Sequence, residues 1–129
     1  MERDEIHGNQ PDAGTRVDFT KSLGTWHNTN ERTRWIKTFT LSQDAEGKVF
    51  MGVSGVAEPA NWGEIEIVPC IDNIGENAFL ASYQLPAHDI TIVANTNKGL
   101  WVTAAVIKTK DGSVPNFLCR EFYVRPGQP

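Results

Sequence analysis

The chain has 129 residues, the length of a single domain that buries about two-thirds of its unfolded surface and needs no disulfide or metal to fold. Hydrophobic residues make up 40% and charged residues 22%, which are ordinary values for a globular protein. A formal net charge of −4 disfavours sequence-independent contact with phosphate backbones, so nucleic acid is not an expected partner.

Residues 1–16 are polar and charged and have no apolar period. Such a segment cannot offset the entropy of ordering it, so the sequence predicts a flexible tail over 1–16 and a barrel domain over 17–129. The tail lacks the apolar run of a signal peptide, and no later stretch reaches the roughly 18–20 apolar residues of a membrane span. We therefore expect a cytoplasmic protein with no membrane span.

The cysteines and histidines do not have the spacing of a metal site. Cys70 and Cys119 are too few for a disulfide scaffold, and neither belongs to a CxxC pair. In a reducing cytoplasm we expect both to be buried thiols that pack as small apolar groups. His7, His27 and His88 share no metal-ligand spacing. The sequence predicts no metal and no cofactor.

A short apolar period at helical spacing precedes the strand-like part of the chain. Val17, Phe19 and Leu23 form this period, and Gly24 follows it directly. Glycine after the last periodic residue is typical of a helix end. We predict one short helical turn that ends at Gly24.

From Gly24 onward the apolar period changes to two, which is typical of strands. Eight such segments follow one another: the stretch that begins at Gly24, then 33–42, 48–56, 62–71, 78–85, 89–95, 100–110 and 116–125. The loops between them are too short for a crossover helix, so neighbouring strands should be antiparallel. We predict an all-β fold, a single eight-stranded up-and-down antiparallel β-barrel with a short N-terminal helical turn, because closure removes exposed strand edges.

The start of the predicted barrel resembles the lipocalin N-terminal signature. In that signature an aromatic residue in a short helical turn, here Phe19, leads to G-x-W, here Gly24 to Trp26. The wider calycin group, which includes fatty-acid-binding proteins and avidins, shares this arrangement. The resemblance implies that the turn closes one end of the barrel and that Trp26 packs at its floor. It also implies that an arginine near the end of the last strand, Arg125 or else Arg120, lies against this tryptophan.

The likeness to individual calycin groups is incomplete. GTWHN is similar to the avidin opening, but Glu31 and Arg32 stand where avidins have short polar residues for biotin, so biotin binding is not implied. REFYV is similar to the last strand of fatty-acid-binding proteins, which presents an Arg-x-Tyr pair to a carboxylate. Here Phe122 stands two residues after Arg120, and Tyr123 is out of phase. Of the Arg-x-Tyr pair, therefore, only the arginine is present in phase.

The last predicted strand has two alternating faces, and the first is the more apolar: Leu118, Arg120, Phe122 and Val124 against Phe117, Cys119, Glu121, Tyr123 and Arg125. If the first face points inward, Arg120 is an interior cation that must pair with a carboxylate of the protein or of a ligand. The alternative is an outward Arg120 in a surface ion pair.

Aromatic side chains occur on several predicted strands, as in an aromatic-lined cavity, although each could be ordinary core. Trp62, next to Gly63 and after Pro59, is expected nearer the rim. The candidate ligand-binding residues are Trp35, Tyr83, Trp101, Arg120 and Asn28. No catalytic residue can be named from spacing.

These features favour a carrier or sensor, rather than an enzyme, that holds a small hydrophobic or amphipathic molecule inside the barrel cavity. One alternative is a barrel-type enzyme, such as a cyclase, isomerase or dehydratase acting on a hydrophobic metabolite. Another is an interaction module whose barrel is filled by its own side chains. A homodimer could form through the segment with Trp101 or through Ile90 and Ile92.

Overall fold

The computed structural model describes residues 10–14 and 16–127, so most of the predicted tail, residues 1–9 and 15, lies outside the described residues. The described chain is an all-β, antiparallel, up-and-down and nearly closed barrel. Its elements are a 3₁₀ turn at Thr20–Ser22 and nine strands: β1 (Gly24–Asn28), β2 (Ile36–Gln43), β3 (Val49–Gly55), β4 (Asn61–Glu66), β5 (Val68–Ile71), β6 (Asn77–Gln84), β7 (His88–Asn97), β8 (Leu100–Thr109) and β9 (Phe117–Val124). No helix in this part of the chain is long and apolar enough to cross a membrane.

The ninth strand arises because the segment predicted as one strand over 62–71 is two strands that meet at Ile67. The strand order is β4-β3-β2-β1-β9-β8-β7-β6-β5, so β4 and β5 are the two edges of the sheet. Ile67 is 2% exposed, and its N–H donates to the Val49 carbonyl at 3.0 Å. The chain turns at this buried corner from pairing with β3 to pairing with β6. One bent segment therefore supplies both edges and brings them together.

A buried tyrosine bridges the seam between these edges. The Tyr83 hydroxyl on β6 lies 2.8 Å from the Met51 carbonyl on β3 and 2.9 Å from the Gly63 carbonyl on β4, and its single proton is shared between them. Burial raises the pKa of the Tyr83 phenol, and the charge of Glu64 adds to this effect. The hydroxyl therefore stays protonated and available as a donor.

Period-two alternation places the core inside the barrel, with one interruption in β2. A register shift between Ile36 and Thr38 leaves Ile36 and Phe39 both buried and Lys37 exposed. Strict alternation through the predicted segment 33–42 would place Lys37 on the same face as Phe39 and Leu41, but the bulge changes which side each residue faces, so Lys37 points outward.

The segments suggested as a dimer face lie inside the barrel. Trp101, Ile90 and Ile92 are 0%, 2% and 0% exposed. They cannot contact a second copy without unfolding the core, so the predicted positions of a dimer face are wrong. A surface for association has to be sought on the outside of the strands.

The closed end has the arrangement that the calycin resemblance implies. The Trp26 indole N–H donates to the Ser22 carbonyl at 3.0 Å, and Phe19 is 2% exposed beneath the barrel. The Arg125 guanidinium lies 4.5 Å from the centre of the Trp26 ring and donates to the Lys21 carbonyl at 2.7 Å. A cation over an indole face contributes about 0.5–2 kcal/mol. Arg125, not Arg120, is thus the arginine against the floor tryptophan.

The helical turn is shorter than predicted. Its three residues form a single 3₁₀ turn, and the following Gly24 has φ +115°, a conformation that favours glycine. Leu23 is half-buried, whereas Val17 is 45% exposed. So short a turn cannot bring Val17 onto the packed side.

Candidate binding site at the open end of the barrel

The interior of the barrel is filled almost completely by its own side chains. A void just below the open end has a volume of about 10 Å³, near the volume that one water molecule needs. It lies among Trp35 and residues of β2, β4, β7, β8 and β9, which include Trp62 and Glu121. As the side chains stand, no organic ligand fits there.

A cleft of about 460 Å³ opens above this filled interior. Its walls come from three loops at the open end, residues 34–35, 57–59 and 85–88, together with Trp62 and Phe117. Most of the lining is apolar or aromatic, and the polar side chains are Arg34, Glu58 and His88. A concave, mainly apolar surface with a few polar groups is typical of small-molecule sites.

Two tryptophans separate the cleft from the space below it. Trp35 and Trp62 both line the cleft and the small interior void, and both are half-buried. The Trp35 ring lies edge-on to His88 at 5.1 Å and 5.6 Å from Phe117. The Trp62 ring lies 5.3 Å from Tyr83, the seam residue. Each indole is thus fixed by a second ring, which pre-forms the floor of the cleft.

Gly55 makes room for Trp35 and Trp62. This role of Gly55 was not predicted from the sequence. A β-carbon at Gly55 would lie 2.6 Å from the Trp62 indole nitrogen and 3.2 Å from the Trp35 carbonyl oxygen. The absence of a side chain therefore lets Trp62 pack directly on β3. The available signal was a glycine inside the predicted strand 48–56, since glycine inside a strand often marks a place where another part of the chain approaches closely.

The predicted ligand-binding residues are spread over different parts of the barrel. Trp35 lies at the open end, and Tyr83 lies at the seam, where its hydroxyl is already bonded. Trp101 lies at the closed end, with ring centres 5.0 Å from Phe79 and 6.1 Å from Trp26. The structure therefore does not bring these residues to one site.

Arg120 and Asn28 also lie apart from the cleft. Arg120 is exposed on the outside of β9, so it is not an interior cation. The Asn28 amide donates to the Ile36 carbonyl at 3.0 Å and to the Tyr123 hydroxyl at 3.4 Å, and its oxygen accepts the Asn30 N–H at 2.8 Å. These bonds hold the loop between β1 and β2 in place.

The inward face of β9 instead carries Glu121. Its carboxylate accepts a hydrogen bond from the Thr33 hydroxyl at 2.9 Å and borders the interior void below Trp35. No lysine, arginine or histidine of the described chain forms an ion pair with it. The sequence contained a signal for this orientation of Glu121. If Arg125 packs against the floor, a period of two places Glu121 inside and Arg120 outside.

The interior hydroxyl and thiol next to Glu121 are protonated at neutral pH. Burial is the main cause that raises the pKa of Cys119, to about 11, and the charge of Glu121 is the next cause. The same two causes, in the same order, raise the pKa of Tyr123. Within the described residues no group of His, Cys, Asp and Glu could hold a metal ion.

The two cysteines differ in environment, and this difference predicts their reactivity. Cys70 is exposed, so the expectation that it is buried is wrong, while Cys119 is half-buried in the barrel. At about pH 8 we expect an aromatic disulfide reagent to label Cys70 at least about tenfold faster than Cys119, since access and thiolate fraction set the rate. Mass spectrometry of the labelled peptides measures both rates.

A Cys70→Ser variant is the control for this experiment. It should show only the slow phase, which becomes fast when the chain is unfolded. If Cys119 were labelled as fast as Cys70, the barrel interior near the open end would be accessible to solvent, contrary to the packing described.

Comparison of the chain with protein-family models, with curated proteins and with solved structures gives no match.

Proposed function

We propose that the protein is a carrier or sensor that binds a small hydrophobic or amphipathic molecule at the open end of its barrel. The observation that supports this is the cleft of about 460 Å³ with mainly apolar and aromatic walls above a filled interior. Ligand pockets are commonly about 300–1,000 Å³ and apolar, with a few polar groups. The proposal therefore moves the ligand from the predicted central cavity to the mouth.

In this proposal the apolar part of the ligand packs between Trp35, Phe117 and Leu85, with Trp62 beneath it. Burial of apolar surface supplies most of the affinity, at about 25 cal/mol per Å². The polar part contacts His88 at the rim or reaches Glu121 when one indole turns aside and joins the cleft to the void. A ligand group that donates a hydrogen bond suits the Glu121 carboxylate better than an anion does.

The closed end supports a calycin-type assignment, which we also propose. The 3₁₀ turn, Trp26 and Arg125 have the arrangement that the calycin resemblance implies. Barrels of this general size hold either their own side chains or one small ligand. Here the interior holds side chains, and the mouth offers the space for a ligand.

The test uses three probes of similar shape and different charge: phenylbutanol, phenylbutylamine and phenylbutyrate. We expect the alcohol to change the tryptophan fluorescence and to raise the melting temperature, because it binds the folded state. Trp35→Ala should weaken its binding at least about tenfold, the equivalent of about 1.4 kcal/mol. The matched control is Phe122→Ala, an exposed aromatic on the outside of β9, which should bind as the natural chain does.

Two outcomes would contradict the proposal. One is that neither these probes nor a wider set of lipids and aromatic compounds changes the fluorescence or the melting temperature. The other is that Phe122→Ala weakens binding as much as Trp35→Ala does. A preference for the amine over the carboxylate that disappears in Glu121→Gln would assign the polar contact to Glu121.

No specific observation favours the enzyme alternative. The raised pKa values of Tyr83, Tyr123 and Cys119 leave these groups protonated near neutral pH, so they are poor bases and nucleophiles. Glu121 borders the small interior void, so it is the carboxylate to test for a catalytic role. Turnover of a bound compound that is lost in Glu121→Gln, while binding persists, would replace the carrier with an enzyme.

A further inference from the structure

The barrel interior holds a carboxylate that has no cationic partner within the described chain. Glu121 on β9 is half-buried and borders the void beneath Trp35 and Trp62. It accepts a hydrogen bond from the Thr33 hydroxyl at 2.9 Å, but the ion pairs of the described residues do not include it. A charge that is partly removed from water is costly unless it is paired. A ligand that carries a positive charge could supply the missing partner.

The groups around Glu121 are neutral, so none of them offsets its charge. Cys119 and Tyr123 lie on the same face of β9, and both stay protonated at neutral pH because burial, and then the charge of Glu121, raises their pKa values. The Thr103 hydroxyl donates to the Glu121 backbone carbonyl at 3.1 Å. The rest of the lining below the tryptophans is aliphatic: Ile36, Ile90, Ile92, Ala105 and Ile107. Such surroundings strengthen the attraction between a carboxylate and a cation.

The void limits the size of the group that can reach Glu121. Its volume of about 10 Å³ is close to what one water molecule needs. A primary ammonium group is about as large as a water molecule and has three N–H donors. A trimethylammonium group is much larger and has no N–H donor. The void therefore suits a primary ammonium group and excludes a quaternary one.

The rim of the cleft does not select one sign of charge. Arg34 and Glu58 both line the cleft and are both exposed, and their charges are opposite. Selection of the polar end of a ligand therefore has to come from below the tryptophans, where Glu121 lies. The net charge of −4 adds a general attraction for cations.

We propose that the ligand of the cleft is a primary amine with a hydrophobic body, whose ammonium group passes between Trp35 and Trp62 and pairs with Glu121. This inference rests on the proposed function, because the hydrophobic body occupies the same cleft. One indole has to turn aside for the passage, and both indoles are half-buried and border open space into which they can turn.

Other polar ends fit Glu121 less well than an ammonium group does. A carboxylate or a phosphate is repelled by it. An alcohol donates one hydrogen bond but leaves the charge of Glu121 unpaired, and charge-assisted hydrogen bonds are roughly twice as strong as neutral ones. Aromatic ring faces attract cations as well, so indoles around the head group also favour the amine.

The test compares three probes with the same hydrophobic body in calorimetric titrations of the full chain at neutral pH: phenylbutylamine, phenylbutanol and trimethyl(phenylbutyl)ammonium. We expect the amine to bind at least about tenfold more tightly than either of the others, because it alone fits the void and brings a charge to Glu121. Glu121→Gln should bring the affinities of the amine and the alcohol to within about twofold of each other. The matched control is Glu66→Gln, which removes an exposed carboxylate on the outside of β4 and should keep the preference for the amine.

The outcomes separate this inference from the proposed function. If the alcohol binds and the amine binds no more tightly, the inference is overturned and the carrier proposal stands. A quaternary ammonium that binds as tightly as the amine also overturns it, because that head group cannot enter the void. So does a preference that is lost in Glu58→Gln and kept in Glu121→Gln, because it places the charge at the rim. Binding of none of the three probes overturns the inference as well, and no binding in the wider set of compounds also contradicts the carrier proposal.

The comparison of the three probes on the natural chain uses no variant, so it does not depend on the folding of Glu121→Gln. Circular dichroism verifies that each variant is folded.

Discussion

Replacing Trp101 with alanine is expected to lower the free energy of unfolding by about 3–5 kcal/mol. Trp101 is 0% exposed and lies among the rings of Phe19, Trp26, Phe39 and Phe79, at centre distances of 5.0–6.5 Å. Its removal leaves a cavity that the surrounding strands cannot close, since they are fixed by their pairing on both sides. Denaturant unfolding followed by circular dichroism measures the loss.

The matched control for this prediction is Trp62→Ala at the open end. Trp62 is half-buried and borders the cleft, so its removal extends an open space and should cost clearly less than the loss of Trp101. If the Trp101→Ala variant were as stable as the natural chain, Trp101 would not be part of a packed floor. It would instead line a cavity, in line with its prediction as a ligand-binding residue.

Gly55→Ala is expected to destabilise the fold by about 1–3 kcal/mol and to weaken binding of phenylbutanol. The added β-carbon would lie 2.6 Å from the Trp62 indole nitrogen, so the ring must move away from its position at the floor of the cleft. The Trp35 carbonyl at 3.2 Å is part of the backbone and gives way less easily. Thermal unfolding and a fluorescence titration measure the two effects.

Gly52→Ala is the control on the same strand. A β-carbon there meets no atom within 4 Å, and Gly52 has no positive φ, so the change should be neutral or slightly stabilising. Equal effects of the two alanines would show that the loss at Gly55 reflects the strand itself and not the position of Trp62.

Much of the fold could be predicted from period-two segments and short loops. The segment 62–71 was predicted as one strand because its alternation continues through Ile67, and only the pairing partners change there. Sequence periodicity reports which residues are buried, not which strand they pair with. The bulge in β2 was missed for a related reason, since one extra residue shifts the alternation without a glycine or proline to mark it.

The site was harder to predict than the fold. An aromatic side chain that lines a cavity and one that fills it have the same sequence pattern, so Trp35 and Trp101 could not be distinguished. The orientation of β9 could have been inferred from the sequence. Arg125 and Glu121 lie on the same face of the strand, so the implied contact between Arg125 and Trp26 also places Glu121 inside the barrel. The greater apolar character of the opposite face, with Leu118 and Phe122, argued for the other orientation, so both orientations stayed open. Those residues are outside, where each is about half exposed.

The four tryptophans allow the most direct test, because each indole N–H gives one signal in a nitrogen–proton correlation spectrum. Trp35 and Trp62 lie at the open end, and Trp26 and Trp101 lie at the closed end. Single Trp→Phe variants assign the signals, and the natural chain is then titrated with phenylbutanol. We predict that the signals of Trp35 and Trp62 move while those of Trp26 and Trp101 stay in place. Movement of the Trp26 and Trp101 signals alone, or of none of the four, would contradict a binding site at the mouth of the barrel.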